Sequence, residues 1–191
     1  MNVYQYVNLY LEEVKTICDT IDTREIQNII AQLKALKVRK GRLFVLGVGG
    51  SAANASHAVN DFRKICGIET YAVTDNVAEL TARINDDGWE TSYVNWLKVS
   101  GFDTADALLI FSVGGGSETT SSNLVRAVEY ADVLGATVLG VVSRDGGYTK
   151  KHSNACVVVP VVDNSRITPH AEEWQGIVLH LVVNGLIQIN E

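Results

Sequence analysis

Two short runs of glycine and serine carry the first chemistry in this chain: Gly47-Val48-Gly49-Gly50-Ser51 and Ser112-Val113-Gly114-Gly115-Gly116-Ser117-Glu118-Thr119. Glycine lets a backbone bend sharply and approach a ligand closely. Where such a run opens a helix, the unpaired N–H groups of the first turn face an anion, and the helix dipole favours negative charge there. Ser51, Ser112, Ser117 and Thr119 add hydroxyl donors. This combination suits a phosphate ester. The nucleotide alternatives are weaker. Gly47-x-Gly49-x-x-Ala52 fits a dinucleotide fingerprint in form. The nearest acid, Glu69, precedes the second strand, however, and Asp75 lies beyond its end. No GxxxxGK[ST] run occurs, which excludes a P-loop.

These loops need strands and helices to hold them. Apolar positions at Val7, Leu11, Val14, Cys18 and Ile21 predict one helix within residues 2–38. Ile26, Ile29, Ile30, Leu33 and Leu36 predict a second, capped by Thr23 and ended by Arg39-Lys40-Gly41. Short apolar runs predict buried strands at 43–46, 70–73, 107–111, 137–142 and 155–161. Helices are expected at 51–65, 77–85, 93–99, 124–134 and 169–189. Strands alternating with helices imply a parallel sheet covered on both faces. The expectation is one α/β domain over 1–191, with helices in 1–40 as an extension of a core at 41–191. Both glycine loops then fall at the carboxyl ends of strands, where doubly wound sheets bind ligands.

Composition narrows the partners. The 191 residues carry 16 Lys and Arg against 22 Asp and Glu, a net charge of −6, which argues against a nucleic-acid face. Cys18, Cys66 and Cys156 are an odd number without CxxC spacing, as expected of reduced, mostly buried thiols. The first 22 residues include Glu12, Glu13, Lys15 and Asp19 and lack the pattern of a signal peptide. No window approaches a membrane span. A cytoplasmic protein without membrane or nucleic-acid partners is expected. His152, beside Lys150 and Lys151, reads as part of a solvated loop, and His170 as surface. Trp89, Trp96 and Trp174 read as core or interface residues, with Trp174 able to wall a pocket near Glu172.

Gly49-Gly50-Ser51 followed by His57, Asn85-Asp86-Asp87-Gly88, the Ser112–Ser117 loop, Asp145-Gly146-Gly147 and His180 together resemble the SIS (sugar isomerase) domain family. Over nearly the whole chain the sequence is similar to bacterial phosphoheptose isomerases, which convert sedoheptulose 7-phosphate to a heptose 7-phosphate for lipopolysaccharide and related glycans. The resemblance implies a flavodoxin-like, doubly wound five-stranded sheet. It also implies a homotetramer with sites shared between subunits, the N-terminal helices serving oligomerisation. The implied substrate ligands are Gly49, Gly50, Ser51, Asn85, Asp86, Ser112, Gly114, Ser117 and Glu172. Four departures accompany it. Asp61 stands where the family has glutamate, Glu172 where it has glutamine, and Val48 where it has asparagine; Val113 and Gly114 replace hydroxyl residues.

Aldose–ketose isomerisation moves a proton between adjacent carbons through an enediol and needs a base and an acid. The resemblance assigns these roles to Asp61 and His180. Asp61 follows His57 by four residues, so both project from one helix face; Glu172 and His180, eight apart, share a face only approximately. His57, Asp61, Glu172 and His180 also form a donor set that suits zinc. Two other readings are a non-catalytic phosphosugar-binding SIS protein acting as a regulator or protein-binding module, and an isomerase of a hexose or hexulose phosphate.

Overall fold

A computed structural model describes residues 1–189 of the chain. Five parallel strands form one sheet: β1 (Leu43–Leu46), β2 (Thr70–Ala72), β3 (Ala107–Phe111), β4 (Thr137–Val142) and β5 (Ala155–Val158), in the order β2-β1-β3-β4-β5. Eight α-helices accompany it: α1 (Val3–Thr20), α2 (Thr23–Val38), α3 (Gly50–Lys64), α4 (Val77–Asp87), α5 (Ser92–Val99), α6 (Ser122–Leu134), α7 (Gly147–His152) and α8 (Ile167–Gln188). β1 pairs with β2 on one side and with β3 on the other, so the chain reverses its direction of winding between β1 and β3. Loops leaving neighbouring strands at such a point splay apart and open a crevice. The loops after β1 and β3 are the two glycine–serine runs. Among the described residues no helix is long and apolar enough to cross a membrane.

Side chains alternate across the sheet and divide the core in two. Leu43, Val45, Leu109, Leu139 and Val141 face α2, α3 and α8, in a cluster that includes Leu33, Phe62 and Val178. Phe44, Leu46, Leu108, Ile110 and Val138 face α5 and α6, against Tyr93, Leu97, Leu124 and Val128. β1 and β3, buried along their whole length, read as continuous apolar runs, whereas the edge strand β2 exposes Tyr71.

Several elements differ from the sequence expectation. The cap of α2 is Asp22, whose side chain accepts from the Arg24 N–H; Thr23 is the first helical residue. Residues 147–152 form α7 instead of a solvated loop. Its first turn is held by tertiary bonds, Tyr148 and Thr149 donating their N–H groups to the Gly116 and Gly115 carbonyls at 3.0 and 2.9 Å. β5 stops at Val158, and α8 starts at Ile167. Trp96 and Trp174 are buried, but Trp174 packs into the sheet core, and Trp89 is exposed. Cys66 and Cys156 are buried; Cys18 is exposed. At the outer edge of the sheet the Cys156 N–H donates to Glu25 Oε2 of α2 at 2.8 Å.

His170, expected on the surface, is 2% exposed. Its Nε2 lies 2.8 Å from Oε2 of Glu13, a buried acid on α1 that also receives Arg166 Nε at 2.8 Å and Nη2 at 2.6 Å. This cluster ties α1 to the start of α8. Hydrogen bonds from Arg166, helped by His170, outweigh burial and hold the Glu13 carboxyl below its ordinary value of 4.5. A lowered folded-state pKa stabilises the fold fully above the unfolded value, and that contribution disappears as pH falls through the folded value. Glu13→Gln is therefore expected to lower the melting temperature at pH 7, with the gap to the parent closing toward pH 3. Paired thermal melts across that range check it, and a gap independent of pH would refute it.

Candidate active site

The crevice holds a cavity of about 430 Å³ lined by Val48, Ser51, Ser112, Val113, Gly114, Gly116, Ser117, Thr120, Ser121, Arg144 and Thr168. Ser51, Ser112, Gly114 and Ser117 thus meet in one place, as the sequence predicts. Each serine oxygen accepts a protein N–H: Ser51 Oγ from Gln175 Nε2 at 3.0 Å, Ser112 Oγ from the Gly115 N–H at 3.0 Å, Ser117 Oγ from the Thr120 N–H at 3.1 Å. No described residue accepts their hydroxyl protons, so each hydroxyl is oriented with a donor to spare, the polarity a phosphate oxygen requires. Thr119 does not line the cavity; Thr120, Ser121 and Thr168 do.

The second loop is rigid because it is packed backbone against backbone. Gly115 has φ +70°, and a Cβ there would lie 1.9 Å from the Gly146 carbonyl oxygen; at Gly147 (φ +55°) it would lie 2.2 Å from that of Gly114. Thr149 Oγ1 donates to the Gly115 carbonyl at 2.8 Å. The Asp145-Gly146-Gly147 run therefore serves to seat the Ser112–Ser117 loop.

A second cluster lies where α3 runs beside α8. Asp61 Oδ2 is 3.4 Å from His57 Nε2 and 3.5 Å from His180 Nε2. The two imidazole centroids are 5.0 Å apart, edge to face. Asp61 is 6% exposed, while both histidines reach solvent. Asn60 Nδ2 donates to Asp61 Oδ1 at 2.9 Å, leaving Oδ2 between the two rings in longer contacts than an ordinary hydrogen bond. Ligand atoms of the three residues lie within 4.8 Å of one another. Zinc held at about 2.0–2.1 Å by nitrogen and oxygen in a tetrahedron separates its ligand atoms by about 3.3 Å. The donor set of two imidazoles and one carboxylate, with a fourth position open, fits such an ion.

Glu172 does not join this cluster. Its carboxylate packs on Gly50, where a Cβ would come within 2.3 Å of Oε2. That places a protein anion at the N-terminal end of α3, where the helix dipole favours it. Its backbone carbonyl accepts from Asn54 Nδ2 at 2.9 Å. Gly49 caps α3 with φ +64°. Asn85 and Asp86 are exposed on α4, bonded to each other at 2.7 Å; they line neither the cavity nor the histidine cluster. α4 buries none of its residues.

Ser51 and His57 lie on the same helix six residues apart, about 9 Å along its axis at 1.5 Å per residue. Asp61 follows Ser51 by ten residues, about 15 Å along the same axis, so α3 carries two separate stations: an oriented hydroxyl cavity at its start and a carboxylate with two imidazoles further along, beside α8. The family model of the SIS domain matches residues 9–143. The chain belongs to the SIS domain family. Among curated SIS-domain relatives, the phosphoheptose isomerase of a Nitratiruptor species is 33% identical over 156 residues, covering 78% of each chain. That of Helicobacter pylori is 27% identical over 178 residues, covering 90% of this chain and 86% of the relative. In fold, the phosphoheptose isomerase from Francisella tularensis superposes with a TM-score of 0.82 at 21% identity, over 99% of this SIS domain chain and all of that one.

Sequence reasoning missed Arg144. It follows β4 in the run Ser143-Arg144-Asp145-Gly146, which reads as an ordinary surface turn. Nothing local shows that strand order brings that turn to the cavity.

Proposed function

We propose that this SIS domain protein is a phosphosugar aldose–ketose isomerase that converts sedoheptulose 7-phosphate to the heptose 7-phosphate for heptose biosynthesis. The observation that carries this reading is the pairing of a hydroxyl-lined cavity with a buried carboxylate flanked by two imidazoles. Its relatives by sequence, named phosphoheptose isomerases, support it. The phosphate of the extended sugar occupies the cavity, on the Ser51, Ser112 and Ser117 hydroxyls. The reacting carbons reach Asp61 and His180.

Asp61 removes a proton from C1 of the ketose through Oδ2, while His180 donates a proton to O2. The product is an enediol. Asp61 then returns its proton to C2, and His180 accepts the proton from O1, which becomes the aldehyde oxygen. Both groups end as they began. Asn60 holds Asp61 Oδ1 and so fixes which oxygen acts. His57, Asp61 and His180 are the residues that would hold zinc, which when bound polarises the sugar oxygens and stabilises enediolate charge. Glu172, against Gly50, stands nearer the first loop than the sequence expectation of a fourth ligand required.

The protein acts as a tetramer with shared sites in this reading, with α1 and α2 at the subunit contacts. Support comes from the outward apolar side chains of α1, among them Val3, Tyr4, Val7 and Leu11, all exposed in the single chain. Incubation with sedoheptulose 7-phosphate, with and without zinc, is expected to give the aldose product. His180→Ala should abolish turnover with the fold intact, and elemental analysis of protein purified without chelator should find zinc. Light scattering on the same sample should give the mass of four chains. Absence of product in both metal conditions overturns the isomerase reading; binding without turnover would indicate a phosphosugar sensor.

A further inference from the structure

The cavity that receives the phosphate has one positively charged side chain in its lining, Arg144. Three observations set it apart. First, its backbone has φ +56°, a left-handed conformation at the first central position of a turn closed by the Gly146 N–H on the Ser143 carbonyl at 3.0 Å. Turns place glycine or asparagine at such a position. Only three non-glycine residues among those described have positive φ, and two of them, Arg144 and Ser121, border this cavity. Strain held at a site indicates that the site gains from it. Second, the Arg144 guanidinium has no hydrogen bond or ion pair to any described residue, a condition it shares only with Arg24 on α2, outside the cavity lining, whereas Arg39, Arg42, Arg63, Arg83, Arg126 and Arg166 are all engaged. Third, its stem runs past Gly114, whose missing Cβ would sit 3.8 Å from Arg144 Cδ.

Charge distribution gives this arginine a task. The N-terminal end of α3, the other cationic feature of the crevice, already faces the Glu172 carboxylate. The chain carries a net charge of −6, so no general field draws in an anion. Hydroxyls alone can hydrogen-bond a phosphate but cannot neutralise it. We infer that Arg144 is the phosphate-binding cation of this site. It forms charge-assisted bonds to the phosphate oxygens and offsets the hydroxyls absent at Val113 and Gly114. The assignment rests on the phosphosugar reading of the cavity and adds a residue to it.

Calorimetry tests it with two probes, sedoheptulose 7-phosphate and inorganic phosphate, on the intact protein, Arg144→Gly and Arg144→Gln. Both variants are expected to bind each probe about 10- to 100-fold more weakly, the loss of charged hydrogen bonds. Arg144→Gly should also melt no lower than the parent, because glycine adopts φ +56° without strain. Arg144→Gln keeps a side chain on the strained backbone and removes the guanidinium with its charge, so its weaker binding separates ligand contact from turn geometry. Unchanged affinity in Arg144→Gln overturns the proposal, as does a parent protein that binds neither probe. A parent that binds both, loses both in the variants, yet turns over no sedoheptulose 7-phosphate keeps Arg144 as the phosphate ligand and sinks the isomerase reading alone.

Discussion

Asp61→Asn should reduce turnover of sedoheptulose 7-phosphate by about 10²- to 10⁴-fold, the range in which a positioned general base contributes, while the melting temperature moves little. The expectation follows from where Oδ2 sits. Asn60 ties up the other carboxylate oxygen, and Oδ2 meets only two solvent-reaching imidazoles, at 3.4 and 3.5 Å. An isosteric amide keeps the packing around that oxygen and removes its charge. The isosteric amide also removes the anion between His57 and His180, so zinc content should fall together with rate. Initial rates, thermal melts and metal analysis on one preparation check all three. Retention of more than a tenth of parental turnover would remove Asp61 from the base role. Asp61 is one methylene shorter than the family's glutamate, and a displacement of about 1 Å can cost about 100-fold; here the buried position on α3 brings the carboxylate between the two histidines without that methylene.

Gly115→Ala should destabilise the protein by about 2–4 kcal/mol, combining a strained left-handed alanine with overpacking against a fixed backbone. It should also abolish phosphosugar binding in whatever fraction remains folded. The contact is with the Gly146 carbonyl at 1.9 Å, and that carbonyl cannot swing away without breaking its bond from the Lys150 N–H of α7 at 3.1 Å, while Thr149 Oγ1 holds Gly115 itself through its carbonyl at 2.8 Å. The neighbouring Gly114 provides the contrast. Its nearest neighbour is the flexible Arg144 side chain at 3.8 Å, so Gly114→Ala should cost less than about 1 kcal/mol. Denaturant unfolding of the two variants side by side measures the difference, and equal costs would mean that the loop is softer than its packing implies.

Much of this arrangement was readable in the residues. The strands stand out as short apolar runs, most of them buried on both faces, β2 alone exposing its central Tyr71. The Ser51 and Ser112–Ser117 loops follow from them, since a loop after a strand in a doubly wound sheet has only one end at which to bind. What escaped was set by contacts distant in sequence. His170 looks like surface because its partner, Glu13, lies 157 residues away. α7 has six residues and no apolar repeat; carbonyls of Gly115 and Gly116 hold its first turn. Arg144 sits in a turn whose composition says nothing about which cavity it borders. Glu172 joins the histidines only through the resemblance, its eight-residue spacing from His180 giving an approximate shared face, and the bare Cα of Gly50 gives its carboxylate a closer seat.

The two rims of the sheet bear on how copies of this chain can meet. An exposed strand margin is a template onto which another chain can add. Here β2 is only three residues long, and at β5 the outward N–H of Cys156 is already spoken for by Glu25. Neither rim offers a run of free donors and acceptors for a neighbour to zip against. Any pairing of copies by strand addition would start from a three-residue strand or have to displace Glu25 from Cys156.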